Sequence, residues 1–303
     1  MIVCRIMKDS LPNVAGNERN TLYILGNGFD LAHGILSKYK HFFCWLNLNG
    51  YEDYAFLLQQ TFSKLENIND CIWSNFESAL EYYDSHDLYK RNIVLPEDTW
   101  NDGAWDSNIE EGTGKVSKMV NEIPELMKAW VKQINTNKSP RFNLSPNSKY
   151  LTFNYTKTLE DVYHIPFDNI CYIHENVDSD SKLIIGHDSP RSTNNLPAKS
   201  DEEERAQIKI VEIMNRLVKP KRQQIEKNSL FFNSLQDITT VIEIGHSMAL
   251  VDLMYFEKVR KSVAKDAHWH FSCYSEEDKT KMNIFVRPAH LLPQRLEFDT
   301  FNL

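Results

Sequence analysis

No stretch of the 303-residue chain approaches the ~20 consecutive apolar residues that a bilayer-spanning helix needs. The opening string MIVCRIMKDSLP is too short and too interrupted to serve as a secretory leader. Five cysteines are scattered at Cys4, Cys44, Cys71, Cys171 and Cys273, and no two have the close spacing of a zinc or redox motif. An odd, dispersed set reads as reduced thiols, so the expected location is the cytoplasm, away from membranes. The histidines outside the strand ends discussed below (His33, His187, His268, His270 and His290) form no H-E-x-x-H or Cys/His ligand pattern, so no metal is expected. There is no internal repeat and no low-complexity tract. With 34 basic against 42 acidic residues the net charge is -8, which repels phosphate backbones on average and disfavours broad nucleic-acid binding.

What is present is an alternation of strand and helix signals. Residues 1–20 read as a loose N-terminal arm. The run TLYIL (21–25) is β-branched and aliphatic and ends in Gly26-Asn27-Gly28-Phe29-Asp30, a strand followed by a glycine-rich turn. Over about 41–140 aromatics and leucines recur at helical spacing: Phe42, Trp45 and Leu46, then Leu58, Phe62 and Leu65, then Trp73, Phe76 and Leu80, then Val116 to Ile134. This predicts a helical insertion, with the turn-rich EDTWNDGAWDSNIEEGTG (97–114) as a loop within it. Strand signals return at 149–155, 169–175, 182–187, 239–247, 268–274 and 281–286. The acidic start DEEER opens a helical pattern that Pro220 should kink or break, with Asp201–Glu204 as a solvated first turn. Together these predict one α/β domain over 1–303 with a Rossmann-like, mainly parallel sheet.

In such sheets ligands sit beyond the carboxyl ends of the strands, and four chemically interesting segments all fall there. GNGFD lacks the lysine of a phosphate-binding P-loop and the third glycine of a dinucleotide fingerprint, since Leu31 stands at that position. Gly26 and Gly28 still allow close backbone approach, and the following amides could meet a pyrophosphate; the plainer role is a tight turn with Asp30 as a helix cap. Asn154 has an amide that could orient a ribose or a water, or simply start a turn. His174 could act as a general base or bond a hydroxyl, or be a satisfied core histidine. Gly245, Ser247 and Asp252 follow the fourth strand: a turn, a hydroxyl that can donate to ribose or phosphate, and an acid that can cap a helix or hold a ligand hydroxyl. A serine hydrolase elbow, G-x-S-x-G, is absent.

In this order, LYILGNGFDLAHGILSKYKHF, WSNFESAL, LTFNYTKTLEDVY, ICYIHEN, LIIGH and VIEIGHSMALVDLMYF resemble the AbiH family of bacterial abortive-infection proteins, over about 22–256. That family in turn resembles, distantly, the sirtuin-like NAD-binding proteins. The resemblance implies a sirtuin-like fold that binds NAD or a related nucleotide as substrate or ligand, with no metal. Gly26, Asn27 and Gly28 would approach the pyrophosphate, Asp30 an adjacent ribose, and Gly245 and Ser247 the adenosine ribose or phosphates. Asn154 and His174 match the pair that supports cleavage of the nicotinamide–ribose bond. The family pair His-Gly is His174-Glu175 here, so a carboxylate stands beside the expected site. The zinc-binding cysteine pairs of deacetylating sirtuins are absent. The implied function is anti-phage defence by NAD hydrolysis, with a phage-derived trigger protein and a homo-oligomer as expected partners. The alternative is a nucleotide-binding sensor without turnover. A nuclease is disfavoured by the acidic balance and the lack of a clustered carboxylate motif.

Overall fold

In the computed structural model the described residues are 5–7, 18–61, 77, 80, 83–93, 102–273 and 298–302. Their frame is a sheet of seven strands: β1 (Arg5–Met7), β2 (Thr21–Leu25), β3 (Lys149–Thr152), β4 (Ile170–Tyr172), β5 (Thr240–Ile244), β6 (His268–Cys273) and β7 (Phe298–Asn302). The order is β1-β7-β6-β5-β2-β3-β4, and every neighbouring pair is parallel. From β4 across to β7 this is the 3-2-1-4-5-6 order of a doubly wound sheet, so the Rossmann-like expectation holds. The sheet grows from β2 through β3 to β4, then resumes on the other side of β2 with β5. That reversal places a topological switch point between the carboxyl ends of β2 and β5.

Parallel strands covered on both faces need apolar side chains on both, which is why TLYIL and TVIEI are nearly continuous apolar runs. Leu22, Ile24, Leu151, Val241, Trp269 and Phe271 point to one face, against Tyr255, Phe256 and Val259 of α10 (Leu253–Ser262). Tyr23, Leu25, Tyr150, Ile242 and Ile244 point to the other. There they meet Phe29 of α1 (Asn27–Ala32) and Leu159 of α6 (Thr158–Tyr163). Tyr23 and Tyr150 are register partners on β2 and β3 and stack at 5.2 Å, a cross-strand pair. His33 ends α1. Its Nδ1 donates to the Phe29 carbonyl (2.7 Å), and the Tyr163 hydroxyl donates to its Nε2 (2.6 Å) while accepting the Arg141 and Phe142 amides.

The chain divides into two compact units. The first comprises Met1–Ser37, Val131–Leu183 and Pro220–Leu303 and carries the whole sheet. The second comprises Lys38–Trp130 and Ile184–Lys219. Its described elements are α2 (Tyr39–Leu48), α3 (Glu52–Thr61), α4 (Ser85–Asn92), α5 (Asp102–Val131) up to Trp130, and α7 (Asp201–Met214).

Several expectations need correction. The segment 97–114 is not a loop throughout, because α5 begins at Asp102 and runs 30 residues. Turn-forming residues are overridden by the stripe Ile109, Val116, Met119, Val120, Ile123 and Met127, all buried. Gly112 belongs to that helix because a Cβ there would lie 2.5 Å from the Asn92 carbonyl oxygen at the end of α4. No strand forms at 182–187, where a single parallel bridge joins His187 to Val218. The acidic start of α7 is only partly solvated. Ser200 caps the Glu203 amide (3.2 Å), and buried Glu203 reaches back to the Lys199 amide (2.8 Å), a reciprocal capping arrangement. β1 lies inside the presumed N-terminal arm, and β7 had no expected counterpart. The helical run is broken ahead of Pro220, since α7 stops at Met214; Pro220 then caps α8 (Lys221–Lys227), which α9 (Ser229–Asn233) follows. The helical signals at Phe62, Leu65, Trp73 and Phe76 and the strand expected at 281–286 lie outside the described residues.

Ile24 is fully buried in the central strand, whereas Leu36 is 64% exposed. Ile24→Ala should therefore lose about 2–5 kcal/mol in urea denaturation, and Leu36→Ala less than about 0.5 kcal/mol.

Candidate functional site

The carboxyl ends of β2 and β5 are joined by a contact between two turns. The Gly26 amide donates to the Ile244 carbonyl (3.0 Å) and the Gly28 amide to the Gly245 carbonyl (2.8 Å). The backbones approach so closely that no side chain fits. A Cβ on Gly26 would lie 2.4 Å from the His246 Cα, one on Gly28 2.6 Å from the Gly245 Cα, and one on Gly245 2.4 Å from the Phe29 nitrogen. Gly245 also has φ +71°, a left-handed conformation that favours glycine. At the turn expected to approach a pyrophosphate, the Gly26 and Gly28 amides are thus engaged by the Ile244 and Gly245 carbonyls. Helix α1, only six residues long, contributes little dipole. Asn27 is exposed and accepts a hydrogen bond from the Ser37 hydroxyl (2.5 Å).

Asn154 follows β3 and is buried; its side-chain amide donates to the Gly26 carbonyl (3.0 Å), tying the third strand end to the first turn. Asp30 lies inside α1, whose cap position is Gly26, so it is not the helix cap. Its carboxylate is buried and accepts the hydroxyls of Thr156 (2.6 Å) and Thr158 (2.8 Å). Burial pushes the Asp30 carboxyl up to about 6, against the lowering effect of hydrogen bonds from Thr156, Thr158 and Asn154. Sequence reading overlooked the two threonines. Their signal was present as T-x-T at 156–158, two residues after Asn154, since a buried acid requires donors.

His174 lies two residues past β4, with its side chain 3% exposed. The rings of Phe153 (5.3 Å) and Tyr255 (5.8 Å) stand edge-on to it. Its Nε2 faces Asp252 Oδ1 at 3.4 Å, and His246 Nε2 faces the other oxygen, Oδ2, also at 3.4 Å. One buried carboxylate therefore stands between two imidazoles. Asp252 occupies the cap position of α10 without a side-chain capping bond, so its charge meets the positive helix end from outside. His246, passed over in the sequence in favour of its neighbours, is the residue the geometry brings in. Ser247 is exposed on the same loop.

Glu175 explains the departure from the His-Gly pair. It has φ +65°, where glycine would sit without strain and another L-residue costs about 1–2 kcal/mol. Its carboxylate is ion-paired with Lys227 of α8 and accepts the Ser179 hydroxyl (2.8 Å), so the negative charge is matched locally. Glu243, the single charge in β5, is also buried. It accepts the backbone amides of His246 and Ser272 and the Ser272 hydroxyl (3.1 Å), while Ser272 Oγ accepts the Gly245 amide (2.7 Å). A charged residue in an apolar strand was the sequence signal for this brace. Among the described residues, no group of three or more His, Cys, Asp or Glu side chains is arranged to hold a metal ion. Among the same residues, no helix is long and apolar enough to cross a membrane.

A family model described as bacteriophage abortive infection AbiH matches residues 22–273. No curated protein and no solved structure matches the chain.

Two outcomes follow from this geometry. Gly28→Ala and Gly245→Ala should each destabilise the first unit by at least about 2 kcal/mol, because backbone must move to admit a methyl group; equal melting temperatures would refute the contact. Asp30 is protonated more readily folded than unfolded, so its ionisation lowers stability as pH rises from about 4 to about 6. Over that window Asp30→Asn should gain on the native protein by on the order of 3 kcal/mol, read from denaturation midpoints at pH 4 and pH 7.

Proposed function

Since the chain belongs to the bacteriophage abortive infection AbiH family, with a role in phage defence, we propose that it acts by binding NAD or a related nucleotide at the carboxyl ends of β2 to β5 and, on infection, hydrolysing the nicotinamide–ribose bond. The supporting observation is convergence: His174, Asp252 and His246, from the ends of β4 and β5, meet around one carboxylate, and Asn154 at the end of β3 is tied to the Gly26 turn at the switch point. A buried carboxylate between two imidazoles carries a desolvation cost that apolar packing would avoid, and such costs are found where chemistry requires them.

In this reading Asn154 orients a water and His174 accepts its proton. The water oxygen bonds to the anomeric carbon of the ribose, and the bond to nicotinamide breaks, its electron pair leaving with nicotinamide. Dipoles at the strand ends stabilise the oxocarbenium-like charge. Asn27 and Ser247, exposed on the two turns, meet phosphate and ribose. Loss of NAD would stop metabolism before phage matures, and a phage-derived trigger, acting on the chain or on a homo-oligomer of it, would confine that loss to infected cells.

A sensor that binds nucleotide without turnover is the second reading. It is favoured by one observation: the Asn154 amide and the Gly26 and Gly28 amides are directed at protein carbonyls. The two readings separate on incubation of the purified protein with NAD, with and without lysate from infected cells. Nicotinamide release that falls at least ~100-fold in a folded His174→Ala variant supports hydrolysis. A raised melting temperature in NAD with no product formed supports the sensor. No release and no thermal shift in either condition would end both.

A further inference from the structure

We propose that His246 and Asp252 are positioning residues that set the tautomer of His174 and leave its Nδ1 as the basic nitrogen. The catalytic meaning of this rests on the hydrolase reading above; the geometry does not. The chain of contacts starts in the backbone. The Met248 amide donates to His246 Nδ1 at 2.9 Å, so that nitrogen carries a lone pair and the proton of the neutral ring sits on Nε2. Met248 reaches this geometry at φ +53°, in a left-handed conformation that L side chains rarely adopt. The Glu243 carboxylate holds the His246 amide from the other side. The ring therefore has a fixed direction, and its Nε2–H is presented to Asp252 Oδ2 at 3.4 Å.

Asp252 transmits the orientation. Its other oxygen faces His174 Nε2 at 3.4 Å. That separation is longer than a hydrogen bond of ordinary length, yet the electrostatic sign is unambiguous. A carboxylate oxygen repels a bare ring nitrogen and attracts an N–H, so the neutral ring of His174 also carries its proton on Nε2. Its lone pair is then on Nδ1, the atom able to take a proton from water. The imidazolium so formed would be stabilised by the Asp252 charge, the orienting role of the acid in a histidine–aspartate pair. The surroundings are apolar: Phe153 lies edge-on to both imidazoles, 5.3 Å from His174 and 4.3 Å from His246, and Phe256 stands 5.0 Å from His246. With these side chains buried, the preference for one tautomer is stronger than it would be at a surface.

In Gly245-His246-Ser247 the histidine, not the serine, is linked to the candidate general base, and Asp252 orients that base in place of holding a ligand hydroxyl. The test is long-range proton–nitrogen correlation spectroscopy on protein labelled with 15N-histidine. In the wild type, His246 and His174 should both show a bare Nδ1 and a protonated Nε2. Asp252→Asn should shift His174 toward a tautomer mixture while His246, held by Met248, keeps its own. In turnover, His246→Leu should lower kcat about 10–100-fold with little change in KM, and His246→Gln, whose amide can still donate to Asp252, should recover part of the loss. A protonated Nδ1 on wild-type His174, or a His174 tautomer unaltered in a folded Asp252→Asn protein, would overturn the proposal. If no form of the protein releases nicotinamide, the hydrolase reading fails, and the spectra still decide the positioning.

Discussion

The closeness of two turns governs the sheet end on which everything else at the candidate site depends. Gly26 and Gly28 on one side and Gly245 on the other leave no room for a Cβ, so β2 and β5 end with their backbones in direct hydrogen-bonded contact. This contact fixes where the loop after β5 starts and thus where His246 and Asp252 lie. It also supplies the carbonyl that Asn154 binds, which ties the end of β3 to the first turn. Glycine is needed here for proximity more than for flexibility. In a doubly wound sheet this is the place where successive connections diverge, and the close approach sets the shape of the crevice they leave.

Around that contact the protein buries four carboxylates, and it satisfies each differently. Asp30 receives threonine hydroxyls, Glu243 receives backbone amides, Glu175 receives a lysine and a serine, and Asp252 faces two imidazoles. The first three are accounted for by construction: they brace α1, the β5 turn and the segment after β4. Asp252 makes no side-chain cap to α10 and stands between His174 and His246. Two of the non-glycine residues with positive φ, Glu175 and Met248, flank the same pair of histidines. Positive-φ backbone and a buried carboxylate between two imidazoles coincide at this end of the sheet, which makes the cluster the candidate site.

The sheet was legible because its strands are short apolar runs with turn formers behind them. TLYIL coincides with β2 residue for residue, and the runs at 149–155, 169–175, 239–247 and 268–274 each contain a strand. The helix α5 was obscured because glycine, asparagine and aspartate favour turns locally, while the burial that overrides them is set by residues distant in sequence. The segment 182–187 has the composition of a strand, but only a single bridge, to Val218, forms there.

By itself, then, the sequence determined the fold class and the four strand-end segments, because periodicity and turn chemistry are local properties. It also marked Asn154, His174 and Asp252 as candidates. Only the tertiary structure decided their partners. That Asn154 holds a turn, that Glu175 occupies a position suited to glycine, and that His246 joins the cluster all depend on which backbones come within a few ångströms of each other. Such distances arise from packing between segments far apart in the sequence, which no local pattern encodes.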